Sequence, residues 1–209
     1  MGTTSNYSWP TPEATDLVKD GWDAIKDLGD AADTTVKAVA DAQGLVHINT
    51  TTISAPVASQ SLDNVFTSNY DNYLIYAFFI MATQSGSIAY RLRASGTDTT
   101  TNYHYSKVYL RSNGAGFTNA GNNNAATSIF MQDVGTTTNE QRFVINLLKP
   151  QVAIATYGYS EGTALDATNS YRELSQGAQT GATSFDGITF FGTASNITSG
   201  VIRVYGVKN

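Results

Sequence analysis

The sequence predicts a mainly β protein, an antiparallel β-sandwich of the jelly-roll type preceded by an N-terminal helical arm. Residues 45–209 are rich in Thr, Ser, Asn, Gly and Tyr and contain short alternating apolar runs, which are typical of β-strands. About nine such runs are separated by turn residues every 8–15 positions or so, as in sandwich domains. No helix-length periodic segment interrupts them, which argues against a parallel α/β sheet.

Residues 1–44 differ from the rest of the chain in charge and in the spacing of their apolar residues. We therefore divide the protein into an extended and helical arm, 1–44, and a sandwich body, 45–209. The arm carries the whole formal charge of −5, since the body has nine acidic and nine basic residues. The arm's own charges are eight carboxylates and three lysines. They are Glu13, Asp16, Asp20, Asp23, Asp27, Asp30, Asp33 and Asp41, with Lys19, Lys26 and Lys37.

The tip of the arm is predicted to be extended, because Pro10 and Pro12 exclude a helix over residues 3–12. Its aromatic pair, Tyr7 and Trp9, needs a surface to pack on. Two interpretations fit: the arm folds back on the protein's own sandwich body, or its tip is a docking peptide for another protein.

A helix is predicted to begin near Pro12 or Thr15, to break at Gly29 and to resume as far as Ala42. Its apolar residues recur at alternating steps of four and three, which is the spacing of a seam buried against another helix. The seam is too short to form a coiled coil unaided, so it needs the body or a partner. We take Tyr7, Trp9, Val18, Trp22 and Ile25 as the candidate anchoring and assembly residues. The whole seam consists of Val18, Trp22, Ile25, Gly29, Ala32, Val36 and Val39.

In the body, the run Tyr73–Ala82 is apolar at both odd and even positions and therefore predicts a central strand covered on both faces. The Gly- and Asn-rich stretch 112–126 predicts an exposed loop. The other predicted strands are Thr51–Val57, Ser87–Ala94, Asn102–Arg111, Ser128–Gln132, Arg142–Leu148, Gln151–Tyr159, Tyr171–Gln176, Gly187–Gly192 and Val201–Val207.

The sequence offers no constellation for catalysis or metal binding. It has no cysteine and two histidines, His47 and His104, which are not spaced as metal ligands. The body's carboxylates fall in turn-like sequence, although a glycosidase pair assembled from distant strands stays open as an alternative. We therefore predict no catalytic residue, no metal and no cofactor. The acidic balance argues against nucleic-acid binding, and we expect a soluble protein made in a host cytoplasm, without a signal peptide or membrane insertion.

One surface suggests a contact. Alternation along Asn102–Arg111 places Tyr103, Tyr105, Lys107 and Tyr109 on one side of the strand and His104, Ser106, Val108 and Leu110 on the other. A tyrosine stripe fits a subunit interface, ordinary cross-strand packing, or stacking on sugar rings. We take Tyr103, Tyr105, Lys107 and Tyr109 as the candidate receptor or interface contact.

Three stretches carry a resemblance to a known group of proteins. Residues 6–35 (NYSWPTPEATDLVKDGWDAIKDLGDAADTT) resemble the N-terminal module of minor tail, fibre and other appendage proteins of tailed bacteriophages. Residues 61–79 and 185–209 are similar to the first core strands and the last hairpin of the β domain that accompanies this module. The resemblance implies a self-assembling structural protein, usually trimeric, with no cofactor and no catalytic residues. The chain lacks the repeated shaft of long fibres, which favours a short knob.

We therefore expect a non-enzymatic virion structural protein, a short tail fibre or minor tail protein that displays its sandwich for assembly and for host-surface recognition. The alternative is a capsid decoration protein, of the cement or head-fibre type, and a further alternative is a glycan-degrading enzyme. The expected partners are further copies of the chain with three-fold symmetry, other tail or capsid proteins, and a host surface glycan.

Overall fold

The structure is a computed structural model that describes residues 2–15, 17–42, 44–83, 86–112, 118–133, 140–165 and 170–207. It confirms the predicted fold class, since antiparallel sheets form a sandwich preceded by one N-terminal helix. The chain divides into two compact units, Met1–Gly44 and Leu45–Asn209. The division lies where the composition of the sequence changes.

The N-terminal unit is a small hairpin followed by a helix. Strands β1 (Gly2–Thr3) and β2 (Pro10–Thr11) pair antiparallel. A single 3₁₀ turn at Val18–Asp20 precedes helix α1, Gly21–Asp41. The predicted break at Gly29 is wrong, because α1 runs through it without interruption. An interior glycine costs only about 1 kcal/mol relative to alanine, and the i,i+4 ion pair of Lys26 with Asp30 links the helical turns on either side.

The tip of the arm folds back on helix α1 of the same unit, a contact that neither of the two predicted possibilities named. Trp9 donates a hydrogen bond from Nε1 to Thr35 Oγ1 at 2.9 Å, and the ring of Tyr7 stacks on Trp9 at a centroid distance of 5.4 Å. The side of α1 that holds Thr35 also holds the buried Ala24. The hairpin therefore occupies one side of α1 and leaves the apolar seam on another.

Thirteen strands form the body, and every pairing among them is antiparallel. The larger sheet has the order β3-β15-β5-β11-β12-β13-β8-β9, and the smaller one has the order β10-β6-β14-β4 with β7 attached to β6. The strands are β3 Leu45–Ile53, β4 Ser59–Leu62, β5 Asn72–Met81, β6 Ser87–Ala94, β7 Thr97–Asp98, β8 Tyr103–Arg111, β9 Thr118–Ala126, β10 Ile129–Asp133, β11 Gln141–Leu148, β12 Thr156–Leu165, β13 Ser170–Gln179, β14 Gly187–Gly192 and β15 Ile197–Val207.

The core lies between the two sheets, and β5 shows how the sequence builds it. Alternate residues of this strand are buried, and Phe79 is fully enclosed. Its ring lies 6.0 Å from Phe143 on a neighbouring strand and 5.6 Å from Phe190 on the opposite sheet. The intervening residues of β5 are only partly buried. The strand is therefore central, as predicted, but its second apolar face lies on the outer side of the larger sheet.

The strand predicted over Thr51–Val57 lies earlier, since β3 runs from Leu45 to Ile53, and two more predicted segments of the body are also wrong. The stretch predicted as a loop over 112–126 contains strand β9, which pairs with β8 from Tyr109↔Thr118 to Tyr103↔Ala126; residues 113–117 lie outside the described chain. The strand predicted over Gln151–Tyr159 is displaced, because residues 151–155 form a turn and β12 runs from Thr156 to Leu165. In both places the backbone ladder with neighbouring strands overrides local propensity.

Two buried tyrosines provide a matched test of the core. The Tyr103 hydroxyl accepts a hydrogen bond from the Leu92 amide at 2.8 Å, whereas the Tyr90 hydroxyl is buried without a partner among the described residues. Burial raises the pKa of both hydroxyls, so both stay neutral near pH 7. We expect Tyr103→Phe to lower the free energy of unfolding by about 1–3 kcal/mol, because it leaves a buried N–H unpaired.

Tyr90→Phe is the control for this substitution. It removes a hydroxyl that has no partner in the described structure, so we expect the free energy of unfolding to stay unchanged or to rise slightly. Urea denaturation followed by circular dichroism measures both variants. Equal losses in the two would contradict the assigned hydrogen bond.

Candidate functional site

The predicted tyrosine stripe on β8 faces the interior of the sandwich. Tyr103 is fully buried and Lys107 is only 8% exposed, while Tyr105 and Tyr109 are partly buried. The alternation of the strand is as predicted, but β10 of the smaller sheet packs against β8. The prediction that Tyr103 and Lys107 contact a receptor or another subunit is therefore wrong, because both side chains are buried inside the sandwich. The tyrosine stripe instead matches the alternative of ordinary packing between strands.

The burial of Lys107 has a specific cause. Its Nζ lies 3.0 Å from Glu173 Oε1 on the adjacent strand β13, and Glu173 is 1% exposed. A charged side chain at this depth requires an opposite charge beside it. The sequence alone could not predict this ion pair, because the two residues belong to different predicted strands whose pairing was unknown.

The predicted anchor residues of the arm are mostly exposed. Tyr7 is 62% exposed, Trp22 is 70% exposed and Ile25 is 65% exposed, while Trp9 is partly buried by its contacts within the arm. Val18 lies in the 3₁₀ turn before α1 and is 97% exposed. Val18 is therefore outside the helical seam to which the sequence had assigned it.

The remaining large members of the seam are exposed at the two ends of α1. Val36 and Val39 are more than half exposed, as are Trp22 and Ile25. We use the term "helix seam" for Trp22, Ile25, Val36 and Val39. They are three, eleven and three residues apart, and the small residues Gly29 and Ala32 occupy the heptad positions between Ile25 and Val36. The hairpin of the arm does not cover them.

A second exposed apolar region lies on the outer face of the larger sheet, where three adjacent strands contribute side chains. We call it the apolar field. Cross-strand pairs join its members, for example Tyr205↔Leu74 and Val144↔Tyr76. All are at least partly exposed. The field consists of Leu74, Tyr76, Phe78, Val144, Leu148, Val201 and Tyr205.

Beside the field, the same outer face carries more polar side chains and forms a groove across β11, β12, β13 and β8. One cross-strand row runs along it, from Asn146 to Tyr159, then to Gln176 and Ser106. Tyr157 lies on the same face of β12, two residues from Tyr159, and both tyrosines are more than half exposed. We use "groove" for Ser106, Asn146, Tyr157, Tyr159 and Gln176.

Two adjoining depressions of about 570 and 480 Å³ share Ser106, Tyr159 and Gln176 and make up the groove. Ligand pockets of proteins have volumes of about 300–1,000 Å³. Each depression is therefore large enough to hold a small ligand.

Paired glycines make the floor of the groove. Gly158 on β12 lies opposite Gly177 on β13. A Cβ at Gly158 would lie 2.4 Å from Tyr90 Oη, and one at Gly177 would lie 2.9 Å from Ile129 Cδ1. Because Tyr90 and Ile129 belong to the smaller sheet, only glycine lets the two sheets approach so closely here.

One end of the groove carries charged side chains in pairs. Arg172 Nε lies 2.7 Å from Glu161 Oε1, and Arg142 Nε lies 3.1 Å from Glu140 Oε2. The hydrogen bond and charge of Glu161 raise the pKa of Arg172. A further depression of about 660 Å³ lies beside these arginines. Since the opposite charges neutralise one another locally, the central groove is governed by aromatic, amide and hydroxyl groups.

The described residues contain no group of three or more His, Asp or Glu side chains placed to hold a metal ion. None of the helices in the described ranges is long and apolar enough to cross a membrane.

Comparison with known proteins adds little to this description. No family model and no curated protein matches the chain. Among solved structures, an exo-inulinase from Aspergillus awamori is similar over 78% of this chain and 29% of its own, with 11% sequence identity and a TM-score of 0.41. The chain thus spans less than a third of that structure. A likeness at this level carries no argument about function.

Proposed function

We propose that this protein is a non-enzymatic structural protein of a tailed-phage virion, which assembles as a homotrimer and joins the particle through its N-terminal arm. The observation that carries the proposal is that each of the two units exposes an apolar surface of its own. The helix seam lies on the arm and the apolar field lies on the body. Large exposed apolar patches mark interaction surfaces.

The helix seam fits a helix of another copy better than it fits a globular partner. Its heptad spacing is the pattern that lets identical helices pack with side chains interlocked. Helix α1 has 21 residues, which corresponds to about 32 Å and three heptads. A seam of this length is marginal on its own, so a stable trimer needs a second contact.

The apolar field supplies a second contact of suitable chemistry. It combines aliphatic side chains with the tyrosines and the phenylalanine that are enriched in subunit interfaces. Tyr76 and Tyr205 pack edge to face at 5.9 Å, and Arg203 lies over the Phe78 ring at 5.8 Å, so the surface is ordered before assembly. A symmetric oligomer buries the same patch on every subunit.

We place the protein on the tail, as a short fibre or minor tail protein whose body points outward. The groove beside the field supports this placement, because a decoration protein that holds neighbouring capsid subunits has no need of a ligand site. Copy number relative to the major capsid protein in purified particles tests the placement. A few dozen copies or fewer supports the tail, whereas hundreds would require a head lattice.

Changes in the helix seam test the assembly. We expect the full-length protein to have the mass of three chains by light scattering at micromolar concentration. Trp22→Ser with Ile25→Ser should dissociate at concentrations at which the unaltered protein stays trimeric, because two large apolar side chains leave the interface. The same variant should be incorporated poorly into particles.

Leu17→Ser is the matched control. Leu17 is 60% exposed and lies in the arm before α1, off the seam. It should leave both the mass and the incorporation unchanged. A monomeric mass for the unaltered protein would overturn the trimer, and normal incorporation of the seam variant would show that the arm is not the anchor.

A further inference from the structure

We infer that the groove of Ser106, Asn146, Tyr157, Tyr159 and Gln176 is a binding site for a neutral oligosaccharide. The inference deepens the proposed function, on which it rests for the source of the sugar, a host cell surface. The tyrosine stripe that the sequence suggested for sugar binding faces the interior. The groove brings together a different pair of tyrosines, on β12.

The two tyrosines are arranged as stacking surfaces. Tyr157 is 57% exposed and Tyr159 is 51% exposed, and neither ring packs against another aromatic ring of the described residues. Residues two apart on a strand are about 7 Å apart on the same face. Between them, Gly158 has its side-chain position toward the smaller sheet, so only its backbone lies in the groove. Two exposed rings at this spacing match the apolar C–H faces of successive sugar units.

The main chain of the groove cannot take part in binding. Strands β12 and β13 each pair with a neighbour on both sides along most of their length. Their N–H and C=O groups are therefore used within the sheet, and a peptide cannot add to this face as an extra strand. Recognition depends on side chains alone.

The polar side chains of the groove suit hydroxyl groups. Asn146 and Gln176 each present an amide with donors and an acceptor, and Ser106 presents a hydroxyl that does both. They lie in the same cross-strand row as Tyr159, a row of about 14 Å for three steps between strands. The hydroxyl groups of an oligosaccharide need partners that both donate and accept hydrogen bonds, spaced along an aromatic surface. The groove provides such partners.

The charge pattern selects a neutral sugar. Glu161 lines the groove beside Tyr159, but its carboxylate is paired with Arg172 at 2.7 Å. An anionic polymer would need cations that are available for it. Val108, Val144 and Leu174 also line the groove, and Val144 is shared with the apolar field, where a second copy of the chain is the proposed occupant.

The test uses the purified full-length protein and a panel of neutral oligosaccharides of three to six hexose or N-acetylhexosamine units, with an acidic polysaccharide included. Binding is measured by calorimetry. We expect at least one neutral member to bind and the Tyr157→Ala, Tyr159→Ala double variant to bind it at least about tenfold more weakly, since each ring contributes by stacking. Ile154→Ala is the control: this isoleucine is 47% exposed, lies in the turn before β12 and should leave sugar binding unchanged.

Light scattering on the same samples separates this inference from the assembly proposal. A trimeric protein that binds no member of the panel, or only the acidic polysaccharide, overturns the sugar site and leaves the assembly intact. Equal weakening in the groove variant and the Ile154→Ala control also overturns the site. A groove variant that becomes monomeric would make this surface a subunit interface and overturn the inference. Release of shorter oligosaccharides over time would instead overturn the non-enzymatic function.

Discussion

Lys107→Met should lower the free energy of unfolding of the body by about 3–5 kcal/mol, because it leaves Glu173 buried without its cation. The two side chains are 8% and 1% exposed, so water cannot replace the missing partner. The double variant Lys107→Met, Glu173→Leu removes both charges and should recover most or all of the loss. Denaturation in guanidinium chloride at neutral pH measures the three proteins.

The pair of Arg172 and Glu161 on the opposite face of the same sheet is the control. Its atoms are 2.7 Å apart but both side chains are about half exposed. Exposed ion pairs contribute little, so Arg172→Met should leave the midpoint of unfolding nearly unchanged. Similar losses for Lys107→Met and Arg172→Met would show that burial does not govern the energetics of the inner pair.

Phe79→Ala should cost about 3–5 kcal/mol of the free energy of unfolding, which is typical of a phenylalanine deleted from a close-packed core. The Phe79 ring is fully buried and contacts both sheets through Phe143 and Phe190. The cavity left behind would lie at the junction of the two sheets, where neither can move inward without disturbing its own hydrogen bonds. Thermal and chemical unfolding both report the loss.

Phe78→Ala, one residue away, is the matched control because its ring lies in the apolar field. We expect a much smaller loss of unfolding free energy for the isolated subunit, and a larger monomer fraction in light scattering if the field is buried on assembly. If Phe78→Ala lost as much unfolding free energy as Phe79→Ala and left the oligomer mass unchanged, the outer face of β5 would already be covered within one chain.

Local patterns in the sequence predicted the features that depend on near neighbours. The apolar residues at both odd and even positions of β5 predicted a central strand, although not which of its faces is buried. The composition changes near Gly44, where the two units divide. Alternation along β8 also separated its two faces correctly. It could not show which face is inside, since a lysine at position 107 favours solvent until Glu173 is placed beside it.

The groove escaped prediction for a related reason. Tyr157 and Tyr159 were visible in a predicted strand, but that strand was placed too early, and the side chains around them come from three other strands. Gln176 and Ser106 reach Tyr159 only through the register of β13 and β8. The paired glycines gave a faint signal, because a glycine within a strand often marks close backbone approach. Pairing Gly158 with Gly177 requires the topology.

The position of β15 in the larger sheet has a consequence for how the body folds. This strand lies between β3 and β5, so that Val201 pairs with both Thr52 and Phe78. Strand β3, the first of the body, therefore has no neighbour in the larger sheet until β15 has formed. Pairing between strands so far apart in the sequence slows folding. A nascent chain that has not yet produced β15 would present two unpaired strand edges to other nascent chains. The larger sheet therefore cannot join β3 to β5 until Ile197–Val207 has been synthesised.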